Sequence, residues 1–294
     1  MPTLRLATRA SRLALWQARH VAAWLRRAHP GLIVTLVPTT STGDLDHATP
    51  LYRLGGVGIF CKEVQEAVLA GRADAGVHSM KDLPTAVPAG LILAAVLPRA
   101  DARDVLIGAA SPAALPVGAL VGSSSLRRIA QLQALRSDLR FTSIRGNVET
   151  RLRKVRAGEV AATIMAMAGL KRLGLLRQAQ AEPLDPISVC TPAPAQGAIA
   201  VDCRQTDLRT HYLLSVLQHR PTAIAVAVER AVLAGLGGGC SLPLGCLVWR
   251  SQHRWQVRAR LGSETGLRDI HLAAPSTEGL AERVIAHLRA GAGR

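Results

Sequence analysis

The chain has 294 residues, of which 49% are apolar and 19% are charged, and its formal net charge is +16. This length and composition predict two or three domains with buried cores and exclude an intrinsically disordered protein. The longest apolar run, residues 86–97, is interrupted by Pro88 and Gly90, and arginines interrupt the apolar residues near the N-terminus. We therefore predict a soluble, cytoplasmic protein without a membrane span or a signal peptide.

The positive charge predicts an anionic partner, and three classes are open: nucleic acid, a membrane surface or a small acidic molecule. Aromatic residues make up only 3% of the chain, which leaves few side chains for base stacking, although the basic run 151–156 keeps nucleic acid as an alternative. The five cysteines form no C-x-x-C pair, so we predict neither a disulfide framework nor a metal site.

Strands and helices alternate in the first third of the chain. The predicted strands are 4–7, 32–37 and 75–78, and the predicted helices are 12–28, capped by Ser11, and 61–70. This alternation predicts an α/β fold with a mostly parallel sheet and helices on both faces. Ligands bind such sheets at the carboxyl ends of the strands.

A second unit of the same kind begins after residues 98–104. Its predicted strands are 105–108, 120–121, 141–144 and 161–167, and its predicted helices are 126–136 and 148–157. The proline-rich stretch 191–196 is interpreted as a return crossing, after which a strand at 197–202 rejoins the first sheet. The chain would then pass between the two units twice, which predicts a hinge between them.

From about residue 221 the pattern changes to a helix at 223–233, an alternating strand at 255–261 and a final helix capped by Ser276 or Thr277. We therefore predict three domains. They comprise residues 1–97 with 197–216, residues 101–191, and residues 220–294.

Arginines lie at the starts of predicted helices, where acidic side chains would stabilise the helix more. Arg127 and Arg128 lie in the first turn of a helix whose N-cap is one of the three serines 123–125. The unfavourable interaction of a cation with the helix dipole at this end costs roughly 0.3–1 kcal/mol for each arginine. A bound anion would reverse this effect, although solvated surface arginines are the alternative. The pattern recurs at Arg9 with Ser11 and at Ser143 with Arg145 and Arg151. Several such sites predict a ligand with several carboxylates or phosphates.

Two further segments carry reactive groups. Lys81 and Asp82 follow a buried strand, where a neighbouring cation would keep Asp82 ionised, although a surface ion pair without a role is also compatible. Cys240 follows three glycines, which leaves open a reactive thiol or a buried structural cysteine. His78 is interpreted as an interior residue rather than a ligand.

Taken in order, these segments resemble the porphobilinogen deaminase family. The matching segments are 7–9, 13–17, 42–44, 55–56, 58–60, 78–82, 124–128, 145–147, 168–174, 196–198 and 238–240. The resemblance implies three α/β domains, the first two built like type II periplasmic solute-binding proteins with a cleft between them. It also implies a dipyrromethane cofactor, made from two substrate molecules and attached by a thioether to Cys240.

The resemblance further implies deaminative condensation of porphobilinogen, repeated four times, followed by hydrolytic release of a linear tetrapyrrole from a monomeric enzyme without a nucleic-acid or membrane partner. Asp82 matches the family's catalytic aspartate, and Lys81 is expected to meet a cofactor carboxylate. The other residues expected to bind cofactor and substrate are Arg9, Ser11, Ser123, Ser125, Arg127, Arg128, Ser143, Arg145, Gly146, Arg151, Arg172 and Gln196.

The chain departs from the family pattern at two places. Val57 stands where a loop of the family usually carries lysine, and Pro194-Ala195 stands where the family usually has Val-Gly. A non-catalytic domain that captures an acidic ligand remains an alternative. Such a domain would need the arginines but neither Asp82 nor Cys240.

Overall fold

A computed structural model of the protein describes residues 2–40, 60–239, 242–263 and 266–290. The chain divides into two compact units, residues 1–100 with 197–223 and residues 101–196 with 224–294. The division into three domains stays a prediction. No helix within the described ranges is long and apolar enough to cross a bilayer.

Strands and helices alternate along most of the described chain. The first are β1 (Thr3–Arg9), α1 (Arg12–Ala28), β2 (Ile33–Thr39), α2 (Lys62–Leu69), β3 (Ala75–Ser79), β4 (Leu91–Val96), β5 (Asp104–Ile107), β6 (Leu120–Gly122), α3 (Leu126–Leu135), β7 (Arg140–Thr142) and α4 (Val148–Arg156). The remainder are β8 (Ala162–Ala166), α5 (Met167–Arg172), α6 (Leu176–Ala179), β9 (Glu182–Pro183), β10 (Ile199–Arg204), α7 (Leu208–Ser215), α8 (Arg220–Gly235), β11 (Leu244–Ser251), β12 (Arg254–Ser263), β13 (Gly266–Ala274) and α9 (Leu280–Ala290).

The first unit is built on a mixed five-stranded sheet of order β2-β1-β3-β10-β4. β1 is parallel to β2 and β3, and the return strand β10 is antiparallel to both of its neighbours. Four strands therefore share one direction, as the mostly parallel prediction requires. The sequence analysis predicts no strand at β4, in the apolar run that contains Pro88 and Gly90. The structure instead uses Gly90, at φ +85°, to turn the chain into the strand.

The second unit contains two sheets. One is mixed, of order β7-β6-β8-β5-β9, with β6 parallel to β7 and β8 and with β5 antiparallel to β8 and β9. The other is the small antiparallel sheet β11-β12-β13, whose central strand carries the predicted alternation at 255–261. The α/β fold class is therefore confirmed, with both five-stranded sheets mixed.

At two predicted boundaries the structure shows the physical reason for the difference. The strand expected to reach Ile144 ends at Thr142. The backbone of Ile144 hydrogen bonds to the Ser124 hydroxyl instead, which accepts from its nitrogen at 3.2 Å and donates to its oxygen at 2.9 Å. The last helix begins at Leu280 rather than beside Thr277, because Gly279 adopts φ +63°, which is incompatible with a helix.

The small sheet packs closely on the rest of the second unit, where α3 lies against β12 and β13. A Cβ at Gly262 would lie 2.6 Å from the Cβ of Ala130, and a Cβ at Gly245 would lie 2.5 Å from the oxygen of Thr191. Arg260 also donates to the backbone oxygens of residues 188 and 189 at 3.2 Å. Glycine is therefore required at both approaches.

A buried carboxylate joins the return crossing to the small sheet. Glu229 on α8 accepts from the backbone nitrogen of Ala195 at 2.6 Å and from that of Val248 at 2.8 Å. Ala195 adopts φ +61°, in the left-handed region that favours glycine, and this is the position where the family usually has glycine.

Replacing Ala195 by Gly is expected to raise the free energy of unfolding by about 0.5–1 kcal/mol, because relief of the left-handed strain exceeds the extra chain entropy of glycine. Urea unfolding followed by circular dichroism measures the change. The matched control is Ala193→Gly two residues earlier, outside the left-handed region, which is expected to lower stability. A loss of stability in both variants would contradict the strain at Ala195.

Candidate active site

In the first unit, Asp82 lies beside a small pocket at the carboxyl end of β3. A single 3-10 turn, Met80–Asp82, follows β3 directly and carries the aspartate to this edge. Arg9 at the end of β1 and Ser11 at the start of α1 line the same pocket. The sheet explains the grouping, since β1 and β3 are parallel neighbours whose carboxyl ends lie side by side. Among the described residues, the Asp82 carboxylate has no ion-pair partner.

The pocket also contains polar and aromatic side chains to which the sequence pattern assigned no role. Gln17 of α1 is buried and donates from Nε2 to the hydroxyl of Ser79 at 2.9 Å. The guanidinium of Arg9 lies 4.2 Å from the centre of the Phe60 ring, a cation–π contact. A polar residue on the apolar face of α1 was the available signal for Gln17. The signal for Phe60 was only its place in a matched segment.

Other predicted residues are not among those lining this pocket or fall outside the described part. Lys81 is exposed on the turn that carries Asp82. Cys240 lies outside the described residues, as do Val57 and the matched segments at 42–44 and 55–59. The thioether at Cys240 therefore stays a prediction.

In the second unit, Arg127 and Arg128 turn into the core and bind a carboxylate of the protein itself. Arg127 Nη1 lies 2.6 Å from Asp104 Oδ2, and Arg128 Nη2 lies 2.6 Å from Asp104 Oδ1. Arg127 also donates to the oxygen of Thr191, and Arg128 to that of Ile164. Asp104 therefore supplies an anion to both guanidiniums, and the binding of cofactor or substrate by Arg127 and Arg128 stays a prediction.

The environment of Asp104 is buried and strongly cationic. Burial raises the pKa of this carboxyl, but the charges of Arg127 and Arg128 and their hydrogen bonds hold it well below its usual range. The Cys190 thiol contacts Asp104 at 3.4 Å, and burial together with this charge raises the pKa of Cys190 to about 12. Gln196 also donates to Asp104 Oδ1, at 3.0 Å, so its predicted donor group faces this carboxylate.

The predicted serines form short hydroxyl contacts at the edge of the second unit. The Ser123 hydroxyl accepts from the nitrogen of Ser125 at 3.2 Å, and the Ser124 and Ser143 hydroxyls lie 2.9 Å apart. Ser125 is the N-cap of α3, but its own hydroxyl makes no capping bond. A binding role for Ser123, Ser125 and Ser143 stays a prediction.

Arg151 lies in a cluster of like charges. Gly146, at φ +107°, makes the turn before α4, and its oxygen accepts from Arg151 Nε at 3.0 Å. Burial, together with the charges of Arg128 and Arg145, lowers the pKa of Arg151 to about 10. An anion bound among these groups would relieve both the burial cost and the repulsion, so the cluster favours an acidic ligand.

Arg172, the last residue of α5, is a half-buried cation of the same unit. Burial lowers the pKa of its guanidinium to about 10. Within the described ranges, no group of three histidine, cysteine, aspartate or glutamate side chains could hold a metal ion. Of the predicted arginines, Arg127 and Arg128 therefore bind Asp104, whereas Arg151 lies beside like charges that lower its pKa.

Comparison with known families gives one match. Residues 4–212 match the sequence model of the family described as porphobilinogen deaminase, dipyromethane cofactor binding domain. This range contains Asp82 and every predicted arginine, and it ends before Cys240. The match extends over most of the chain.

Solved structures resemble the chain at low identity. A TRAP periplasmic solute binding protein from Desulfovibrio salexigens is 13% identical, with a TM-score of 0.42, over 74% of this chain and 72% of that one. A putative periplasmic sulfonate-binding protein from Methylobacillus flagellatus is 12% identical, with a TM-score of 0.41, over 79% and 68%. YhfZ from Shigella flexneri is 18% identical, with a TM-score of 0.38, over 78% and 94%.

Proposed function

Because the chain belongs to the porphobilinogen deaminase family, we propose that it condenses four porphobilinogen molecules head to tail on a covalent dipyrromethane and releases hydroxymethylbilane. We propose a monomeric, cytoplasmic enzyme whose partner is this small acidic substrate, without nucleic acid or membrane. The same proposal assigns the catalytic role to Asp82 and the cofactor attachment to Cys240.

The observation that carries this proposal is the pocket in the first unit, where Asp82 and Arg9 line one space. Porphobilinogen has two carboxylate arms and a ring that becomes positively charged as ammonia leaves. A guanidinium and a carboxylate in one pocket are complementary to these two features. A domain that merely captured an acidic ligand would have no use for the Asp82 carboxylate.

The second unit fits an acidic, covalently attached group. The half-buried Arg151 lies beside the like charges of Arg128 and Arg145, and a carboxylate arm bound there would offset this repulsion. Gly237, at φ +73°, follows α8 in the segment that leads to Cys240, and a Cβ at Gly238 would lie 2.4 Å from the oxygen of Leu233. Glycine is thus required at the base of that segment. When bound, the dipyrromethane supplies the free pyrrole α-carbon at which the chain grows.

In the proposed mechanism, the Asp82 carboxylate accepts the pyrrole N–H of the substrate and stabilises positive charge on its ring. Stabilisation of charge that is present only in the transition state lowers the barrier of the chemical step. Arg9 and Ser11, which line the same pocket, bind a carboxylate arm and orient the ring. Each charged hydrogen bond of this kind contributes roughly 1.5–3 kcal/mol.

The intact mass of the purified protein tests this function. Wild type is expected to carry an adduct of two pyrrole units, and Cys240→Ser is expected to lack the adduct and to form no tetrapyrrole. Ser241→Ala is the matched control and should keep both the adduct and the activity. An unmodified mass for well-expressed wild type would contradict the cofactor assignment.

A further inference from the structure

A buried ion pair joins β3, the strand that leads to Asp82, to β10, and it has no part in the mechanism above. The side chains of His78 on β3 and Asp202 on β10 are each 2% exposed, and His78 Nε2 lies 3.1 Å from Asp202 Oδ2. The two strands are antiparallel neighbours, with Gly76 opposite Asp202 and Ala200 opposite His78. Residues two apart share a face of the sheet, so both side chains point to the same side.

The fold makes room for this pair at a glycine. A Cβ at Gly76 would lie 2.4 Å from Asp202 Oδ1 and 2.8 Å from His78 Nε2. Gln65 of α2 covers the pair and donates from Nε2 to Asp202 Oδ2 at 2.9 Å. Apolar residues in place of a buried ion pair are often at least as stabilising, so stability alone does not explain these charges.

Cys61 connects the pair to the turn that carries Asp82. Its thiol, at the start of α2, donates to the backbone oxygen of Asp82 at 3.2 Å, and Cys61 lines the same pocket as His78 and Asp82. Asp202 from β10 and Cys61 from the start of α2 are the titratable groups that act on the ring. Asp202, His78, Cys61 and the backbone of Asp82 are therefore linked in series, by an ion pair, by the interaction of the ring with the thiol and by a hydrogen bond.

The charge state of His78 suits this arrangement. Burial alone lowers the pKa of the ring, but the charge of Asp202 and the hydrogen bonds to Asp202 and Cys61 outweigh burial and raise the pKa to about 10. An imidazolium donates from both ring nitrogens, whereas a neutral imidazole donates from one. Only the charged ring can donate to the carboxylate and the thiol together.

We propose that His78 is a positioning residue for the condensation: held by Asp202, it fixes the Cys61 thiol and thereby the orientation of the Asp82 carboxylate in the pocket. The inference rests on the proposed function. The turn needs such a contact because it is short. Its own backbone bonds run from Leu83 N to Met80 O at 3.2 Å and from Met80 N to the oxygen of Ala198 at 3.0 Å.

Substitutions at Cys61 and His78 test the proposal on cofactor-loaded protein. Cys61→Ala removes the donor to Asp82 and is expected to lower kcat between about tenfold and a hundredfold with KM changed less than about twofold, because misplacement affects the chemical step more than binding. Cys61→Ser keeps a hydroxyl donor and is expected to lose less. His78→Gln is expected to resemble Cys61→Ala.

A matched control separates positioning from folding. His219→Gln removes a half-buried histidine of the same unit that contacts Thr222 Oγ1 at 2.7 Å, and its kcat is expected to match wild type. If Cys61→Ala and His78→Gln lower the thermal midpoint but leave kcat per loaded molecule equal to that control, the role is purely structural and the proposal is overturned.

Imidazole nitrogen chemical shifts give a readout that does not depend on activity. The His78 resonance, assigned by its absence in His78→Gln, is expected to stay that of a doubly protonated ring from about pH 6 to about pH 9, and to titrate in that range in Asp202→Asn. Titration within that range in wild type would overturn the proposal. Failure of the proposed function would appear separately, as wild type without the mass adduct.

Discussion

Replacing Asp82 by Asn is expected to lower kcat for tetrapyrrole formation by about a hundredfold to a thousandfold, the loss typical of removing one electrostatic stabiliser from a transition state. Asn keeps the size of the side chain and can accept the pyrrole N–H, but it carries no negative charge. The variant therefore loses the interaction that strengthens as the substrate ring becomes positive. We expect little change in KM, since the arginine and serine of the pocket are retained.

Steady-state kinetics on protein of verified adduct mass measures this loss. The fold is expected to survive, because the Asp82 carboxylate has no ion pair among the described residues and its contact with Cys61 uses the backbone oxygen. Glu66→Gln is the control: it neutralises an exposed carboxylate of α2, in the same unit, and should leave kcat unchanged. Near-normal turnover of Asp82→Asn would rule out its catalytic role.

The backbone of the pocket was predictable from the sequence because local rules decide it. The apolar spacing of α1, the cap at Ser11 and the buried run before Asp82 are short-range patterns, and parallel neighbours then bring their carboxyl ends together. The His78–Asp202 pair was not predictable in this way. It depends on the register of β3 against β10, strands separated by more than a hundred residues.

The partners of Arg127 and Arg128 were also not predictable from local sequence patterns. The sequence indicates that cations at the start of α3 need an anion, and this inference is correct. It assigns a bound ligand as this anion. In the structure the anion is Asp104, which precedes Arg127 by 23 residues and Arg128 by 24. Nothing in local spacing distinguishes an internal carboxylate from an external one. A buried strand that begins with Asp104 was the available signal, because such a carboxylate requires partners.

Replacing Asp104 by Asn is expected to lower the free energy of unfolding by about 3–5 kcal/mol, since it leaves two buried guanidiniums without their counter-ion. The side chain of Asp104 is fully buried and also accepts from Gln196. The isosteric amide keeps the packing but removes the charge and turns an acceptor into a donor that faces other donors. Urea unfolding at neutral pH, followed by circular dichroism, measures the loss.

The pH dependence has a definite sign. Because the folded-state pKa of Asp104 is depressed, its contribution is fully present above the ordinary carboxyl pKa of about 3.9 and is lost as the pH falls through the folded value. The stability difference between wild type and Asp104→Asn should therefore narrow in acid.

Asp138→Asn is the matched control, since it breaks an aspartate–arginine pair with Arg136 at the same 2.6 Å separation but with both side chains partly exposed. Solvent screens that pair, so its loss should be much smaller. Equal losses in the two variants would show that burial of the Asp104 cluster adds nothing to its strength.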